Sequence, residues 1–196
     1  MKKNLIIIGV VVLIIFIMGS WVTGMYNSLV KSQEAVDGQW ANVENVYQRR
    51  ADLIPNLVNT VKGYADFEKQ TLTDVIEARA KATSVTIDPT KLDASAMQQF
   101  QKAQDGLSSA LSRLMVVVER YPDLKANQSF LDLQAQLEGT ENRIAVERRK
   151  FNETAQTYNT YLRTFPRNIF AGMFGFEKKA YFEAAEGSDK APEVKF

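Results

Sequence analysis

Asn127–Phe165 reads NQSFLDLQAQLEGTENRIAVERRKFNETAQTYNTYLRTF. Six apolar side chains recur in it at every seventh residue: Phe130, Leu137, Ile144, Phe151, Tyr158 and Phe165. Seven residues are close to two helical turns, so the row stays on one helix face. A strand, whose faces alternate residue by residue, would scatter it. Nothing breaks the run between its ends. A single helix of about 39 residues cannot bury such a stripe alone, so it demands helical partners.

Those partners are found upstream. Leu29, Val36 and Val43 lie seven apart, and Tyr26, Gln33, Trp40, Tyr47 and Ile54 form a parallel row. Pro55 follows; it lacks an N–H and disfavours a helical residue before it. A tight turn near Asp52–Pro55 is expected, with a kink in one longer helix as the alternative. A second helix is expected from Asn56 to Ala82, with Leu57, Val61, Tyr64, Leu72, Val75 and Ile76 inward. Thr83–Thr90 carries β-branched residues and the Asp88–Pro89 turn signal. The third helix starts near Asp93 or Ser95, the latter with capping-box spacing to Gln98. Its stripe is Phe100, Leu107, Leu114 and Tyr121, with Leu111 and Val118 alongside, and Pro122–Asp123 ends it. Short connections make neighbours antiparallel. The reading is all-α: an up-down four-helix bundle over 27–165, with a three-helix rod containing Pro55 as its competitor.

Before the bundle, Leu5–Tyr26 has no ionisable acid or base other than the tyrosine hydroxyl. Its 22 residues span roughly 33 Å as a helix, close to the hydrocarbon thickness of a bilayer. Trp21 and Tyr26 suit the headgroup layer at its far end. A cleaved signal peptide is the competing reading. The run is long for one, and no small-x-small site follows. Residues 1–26 are therefore read as a transmembrane anchor. Lys2 and Lys3 precede the span and only Lys31 follows closely, which favours a cytoplasmic N-terminus and an exported bundle.

Composition limits the chemistry. Histidine and cysteine are absent, which removes imidazole bases, thiol nucleophiles, disulfides and the usual zinc and haem ligand sets. The formal net charge is +1, so no nucleic-acid partner is indicated. No cofactor, metal or catalytic residue is expected. Glu68, between Val61 and Val75, and Glu141 with Arg148 beside the Ile144 row read as polar groups that fix helix register. A carboxylate enzyme built on a pair such as Glu68 and Glu141 is the weakest alternative.

Two surfaces stand out. If the Pro55 and Pro122 turns meet at the distal tip, Arg49, Arg50, Asp52, Glu119, Arg120, Asp123 and Lys125 gather there. They serve as salt bridges between hairpins, as a docking tip for another protein, or as both. Over 166–186, Ile169, Phe170, Met173, Phe174 and Phe176 are apolar but too short to cross a bilayer. With Lys178 and Lys179 they fit the membrane interface, or else a tail folded over the bundle. Residues 187–196 read as a polar, flexible tail.

The chain resembles the LemA family. The resemblance rests on Tyr26-Asn27-Ser28-Leu29-Val30, Arg49-Arg50-Ala51-Asp52-Leu53-Ile54-Pro55-Asn56-Leu57-Val58, Val61-Lys62-Gly63-Tyr64 and Glu77-Ala78-Arg79. It continues through Glu119-Arg120-Tyr121-Pro122-Asp123-Leu124-Lys125-Ala126 and Leu137-Glu138-Gly139-Thr140-Glu141-Asn142-Arg143-Ile144. Arg148-Arg149, Phe151-Asn152, Tyr158-Asn159, Phe165-Pro166, Gly175-Phe176 and Tyr181-Phe182 complete it. It implies a bacterial protein with a membrane helix and a bundle-like domain, and no active site to transfer. Members occur alongside membrane proteases and envelope stress functions, so the resemblance implies an adaptor. Some members look N-terminus-outside; here Lys2 and Lys3 argue for the reverse. The expectation is a non-catalytic scaffold or adaptor, single-pass in the bacterial cytoplasmic membrane. Its partners would be the bilayer, another membrane or envelope protein such as a membrane protease, and further copies of itself. The alternative is a protein acting on the lipid surface through 169–182.

Overall fold

The computed structural model describes residues 2–63 and 69–183. Among the described residues six helices follow in order: α1 (Lys2–Lys62), α2 (Lys69–Ser84), α3 (Ala94–Val118), α4 (Pro122–Lys125), α5 (Gln128–Arg163) and α6 (Arg167–Met173). A 3-10 turn, Pro89–Lys91, lies between α2 and α3. Tyr64, Glu68 and the segment 187–196 fall outside the described residues.

The anchor and the first bundle helix are one helix. α1 has 61 residues, a rod of about 90 Å. Its N-terminal stretch is long and apolar enough to cross a membrane, and the rest of the protein buries none of it. Beyond Tyr26 the helix turns amphipathic: Leu29, Val36, Trp40, Val43, Ile54, Leu57 and Val61 are fully buried. The two rows read from the sequence form its core face except at Tyr26, which is 41% exposed, and Gln33, which is half-buried.

Pro55 corrects the expected turn. It sits inside α1, which runs on to Lys62. A proline at this position leaves the carbonyl of Ala51, four residues back, without its helical donor. Arg79 Nε of α2 donates to that carbonyl at 2.7 Å. A long-range donor thus replaces the missing local one, and the helix continues. α2 is correspondingly short, 16 residues. Ile76, expected inward, is exposed.

α1 packs chiefly against α5 and α2 against α3, with a smaller contact between α1 and α2. Asp93 caps α3 by accepting from the Ala96 N–H, so Asp93 and not Ser95 is its cap. Asn127 caps α5 through the Phe130 N–H. The core divides into two stacked clusters. The distal one joins Ile54, Leu57 and Val61 to Leu72, Val75, Leu107, Leu114, Phe130 and Leu137. The proximal one joins Leu29, Val36, Trp40 and Val43 to Met97, Phe100, Ile144, Phe151 and Tyr158. Trp40 is its centre, edge-on to Phe100 (5.2 Å) and Phe151 (5.6 Å) and stacked on Phe182 (5.9 Å), arrangements that aromatic quadrupoles favour.

α2 and α3 do not reach down to the anchor. In the space they leave, α6 and then an extended strap, residues 176–183, lie against α1 and α5. Phe165, the last residue of the heptad row, is 76% exposed, because α5 ends at Arg163 and Thr164 is already extended.

Candidate functional site

Between the two apolar clusters lies one polar node. Arg50 of α1 is 1% exposed. Its guanidinium donates to Glu141 Oε1 (2.6 Å), Ser108 Oγ (2.8 Å) and Gln104 Oε1 (2.6 Å). Gln104 Nε2 continues to the Ala82 carbonyl at 3.2 Å. The node therefore ties α1, α2, α3 and α5 together at one level. Arg50 also lies 5.1 Å from the Tyr47 ring centroid, a cation–π contact. Glu141 is a partner of this buried cation.

The node overturns part of the expected tip. With α1 continuing to Lys62, Arg49, Arg50 and Asp52 sit about 15–20 Å below its end, and Arg50 is in the core. Arg49 and Asp52 remain exposed on the side of α1, and Asp52 accepts from Gln48. Glu119, Arg120, Asp123 and Lys125 do lie at the α3–α5 reversal, where Lys125 pairs with Glu119.

At the opposite end, α6 docks on the anchor's exit. Trp21 meets Phe170 edge-on at 6.0 Å, and Tyr26 meets Phe174 at 5.1 Å and Phe176 at 5.7 Å. Arg167 lies over the Tyr161 ring at 4.0 Å. Phe165, Ile169, Met173 and Phe174 face outward from this cap, continuous with the apolar part of α1. Phe170 and Phe176 are half-buried against the protein. Lys178 is exposed.

Lys179 corrects the membrane-facing assignment. It is 5% exposed, and its ammonium donates to the carbonyls of Pro89 (2.7 Å) and Thr90 (3.1 Å), with Asp37 at 3.4 Å. It pins the strap to α1 and to the α2–α3 connection. Burial holds the Asp37 carboxyl above its usual range, with Lys179 pulling the other way.

The strap itself is gripped by side-chain amides. Asn159, Asn152 and Gln101 each make two hydrogen bonds to its main chain, at Lys179, Phe182 and Glu183 respectively. Asn159 and Asn152 are about 10 Å apart along α5, and the three residue steps from Lys179 to Phe182 span that distance, so the strap is nearly fully extended. Arg148 donates to the Glu183 carbonyl and covers the Phe182 ring at 4.8 Å. Tyr158 donates to the Glu177 carbonyl at 2.9 Å; burial pushes its hydroxyl up to about 12. None of Gln101, Asn152 and Asn159 was singled out as a site residue from the sequence. The available signal was the placement of each Asn directly after a heptad aromatic, Phe151 or Tyr158.

A groove of about 690 Å³ between α2 and α3 is lined by Asp74, Glu77, Lys81, Lys102 and Arg113 among others. It is open and of mixed charge, unlike an enclosed reaction site.

The LemA family pattern matches residues 39–196. The chain belongs to the LemA family. Among curated proteins it is similar to Magnetosome protein MamQ 2 of Paramagnetospirillum magneticum, 28% identical over 183 residues. Magnetosome protein MamQ of Magnetospirillum gryphiswaldense is likewise 28% identical over 183 residues. Each match covers 84% of this chain and 66% of the relative, so the chain spans just under two thirds of those proteins' length. Protein LemA of Metamycoplasma hominis is 25% identical over 163 residues, covering 83% of this chain and 71% of that protein. With its apolar N-terminal helix, this LemA-family chain is a membrane-associated helical protein.

Proposed function

We propose that this LemA-family protein is a non-catalytic, membrane-anchored scaffold or adaptor of the bacterial envelope, held in the cytoplasmic membrane with its bundle outside the cytoplasm. One observation carries the reading. Among the described residues the two buried cations, Arg50 and Lys179, are each engaged in joining elements of the fold. The client is a membrane or envelope protein, a membrane protease among the candidates, and its docking surface is the α3–α5 reversal around Glu119, Arg120, Asp123 and Lys125. The charge bias of Lys2 and Lys3 over Lys31 supports the orientation.

Photoreactive groups placed at Lys125, Arg49 and Met173 in the full chain in intact membranes test this. Discrete protein adducts at Lys125 are expected. Silence at both Lys125 and Arg49 would overturn the adaptor. The outward apolar side chains of α6 favour a second reading, a role at the lipid surface; lipid adducts at Met173 alone would select it.

A further inference from the structure

α6 is apolar on two sides. Phe170 and Ala171 face inward, against α1 and the bundle. Ile169 and Met173, one turn apart on the outward side, are 53% and 72% exposed, and Phe165 and Phe174 are exposed at the two ends of the helix. A helix with apolar side chains both toward and away from its own protein belongs in a core or in a bilayer, not in water. The exposures exclude a core.

The height of α6 identifies its neighbour. Phe170 and Phe174 meet Trp21 and Tyr26 at 6.0 and 5.1 Å, so the helix lies beside residues 21–26 of α1. A hydrocarbon layer of about 30 Å is crossed by about 20 helical residues. Counted from Leu5, just past the charges of Lys2 and Lys3, the layer ends near Gly24. α6 therefore lies where acyl chains give way to headgroups, the depth that favours Trp and Tyr. Arg163 and Lys178, both exposed, stand before and after it in the chain. Their stems let the charges reach phosphates while the apolar side chains stay deeper. The helix is also tied at both ends. Only Thr164, Phe165 and Pro166 join it to α5. Beyond it Gly175, at φ +75, turns the chain into the strap that Lys179 pins to the bundle.

We propose that α6 is a second membrane-embedded element, an interfacial helix whose Ile169–Met173 side is immersed in the boundary layer of the phospholipid leaflet from which α1 emerges. This goes beyond the adaptor reading and does not depend on it: a client would be detected at Lys125 and Arg49, the lipid contact at α6. Its consequence is orientation. A single span can lean in any direction. With α6 embedded on one side of α1, leaning toward that side drives Arg163 and Asn168 towards hydrocarbon. Leaning away lifts Ile169 and Met173 into water. Both are opposed, so the rod is held at one inclination.

The sequence contains no cysteine, so single nitroxide labels report alone. Full-length chains carrying Ile169→Cys or Met173→Cys are labelled and reconstituted in vesicles of phosphatidylethanolamine and phosphatidylglycerol. Thr23→Cys, exposed on α1 at the height of α6, is the lipid reference; Ala145→Cys, exposed midway along α5, is the water reference. Relaxation is measured with oxygen, which concentrates in lipid, and with a water-soluble nickel chelate. Oxygen should dominate at the two α6 positions as it does at Thr23, with an oxygen-to-chelate ratio several-fold above that at Ala145. Chelate access equal to that at Ala145 would place these side chains in water and overturn the proposal. Exclusion of both reagents would show them covered by a second copy or another protein, and would overturn it as well. Ile169→Asp with Met173→Asp changes two exposed side chains and should lower the amide I infrared dichroism of the chain in oriented bilayers, as the rod loses its fixed inclination. Unchanged dichroism would overturn the orienting role.

Discussion

Pro55 and Arg79 should be energetically coupled, although they lie on different helices. A proline in a helix interior costs about 3 kcal/mol relative to alanine, part of it from the unsatisfied carbonyl four residues earlier. Here that carbonyl belongs to Ala51, a buried residue, and Arg79 Nε reaches it at 2.7 Å. A hydrogen bond from a charged donor is worth about 1.5–3 kcal/mol. Arg79→Met keeps most of the side chain's length, so its loss of stability should fall in that range. Pro55→Ala restores an N–H at the proper place. In the native background the carbonyl is already satisfied, and the gain is limited to backbone relief, partly offset by the greater freedom of the unfolded chain. In the Arg79→Met background the same substitution also satisfies an orphaned acceptor. Its gain should then be larger by about 1–2 kcal/mol. The four proteins are compared by urea unfolding of the full chain in detergent, followed by the fluorescence of buried Trp40. Additivity within about 0.5 kcal/mol would refute the claim that Arg79 substitutes for the donor that Pro55 lacks.

Arg50→Met should cost about 2–4 kcal/mol in the same assay, since it strands buried Gln104 Oε1 while Glu141, 45% exposed at its side chain, returns to water. Tyr158 keeps its proton up to about 12 when folded but loses it near pH 10 when unfolded. Its contribution is therefore complete below about pH 10 and disappears towards pH 12. Tyr158→Phe should flatten stability over that interval, read by alkaline titration of the two proteins. Lys179→Met removes the cation that opposes the rise of the Asp37 carboxyl. A raised carboxyl stabilises below the unfolded value and loses that contribution as pH rises through the folded one. The variant's deficit against the native chain should thus be greater near neutral pH than near about pH 4, measured by thermal unfolding at each.

The heptad rows were legible because packing obeys them. Leu29, Val36, Val43, Phe130, Leu137, Ile144, Phe151 and Tyr158 are all buried, and the third helix's stripe is buried up to Val118. What misled the reading was local chemistry overridden from a distance. Pro55 is a helix breaker on its own terms, and nothing near it in sequence announces Arg79, 28 residues beyond the carbonyl it serves. Arg50 and Lys179 read as surface charges by type; only the convergence of Gln104, Ser108 and Glu141, or of two loop carbonyls, makes their burial tolerable. The strap escaped periodicity altogether. An extended segment held by carboxamides of other helices leaves no repeat in its own sequence. Phe165 failed for the opposite reason: the pattern ran one step past the end of the helix that gives it meaning.

The unbroken α1 makes the bilayer part of the bundle's coordinate frame. From Tyr26 to Lys62 the helix rises about 54 Å as one continuous element. A change of about 10° in the tilt of the span would sweep the far end through about 9 Å by rigid geometry. A change in bilayer thickness, or a second span packing beside the first, would thus act as a lever on whatever the distal reversal touches.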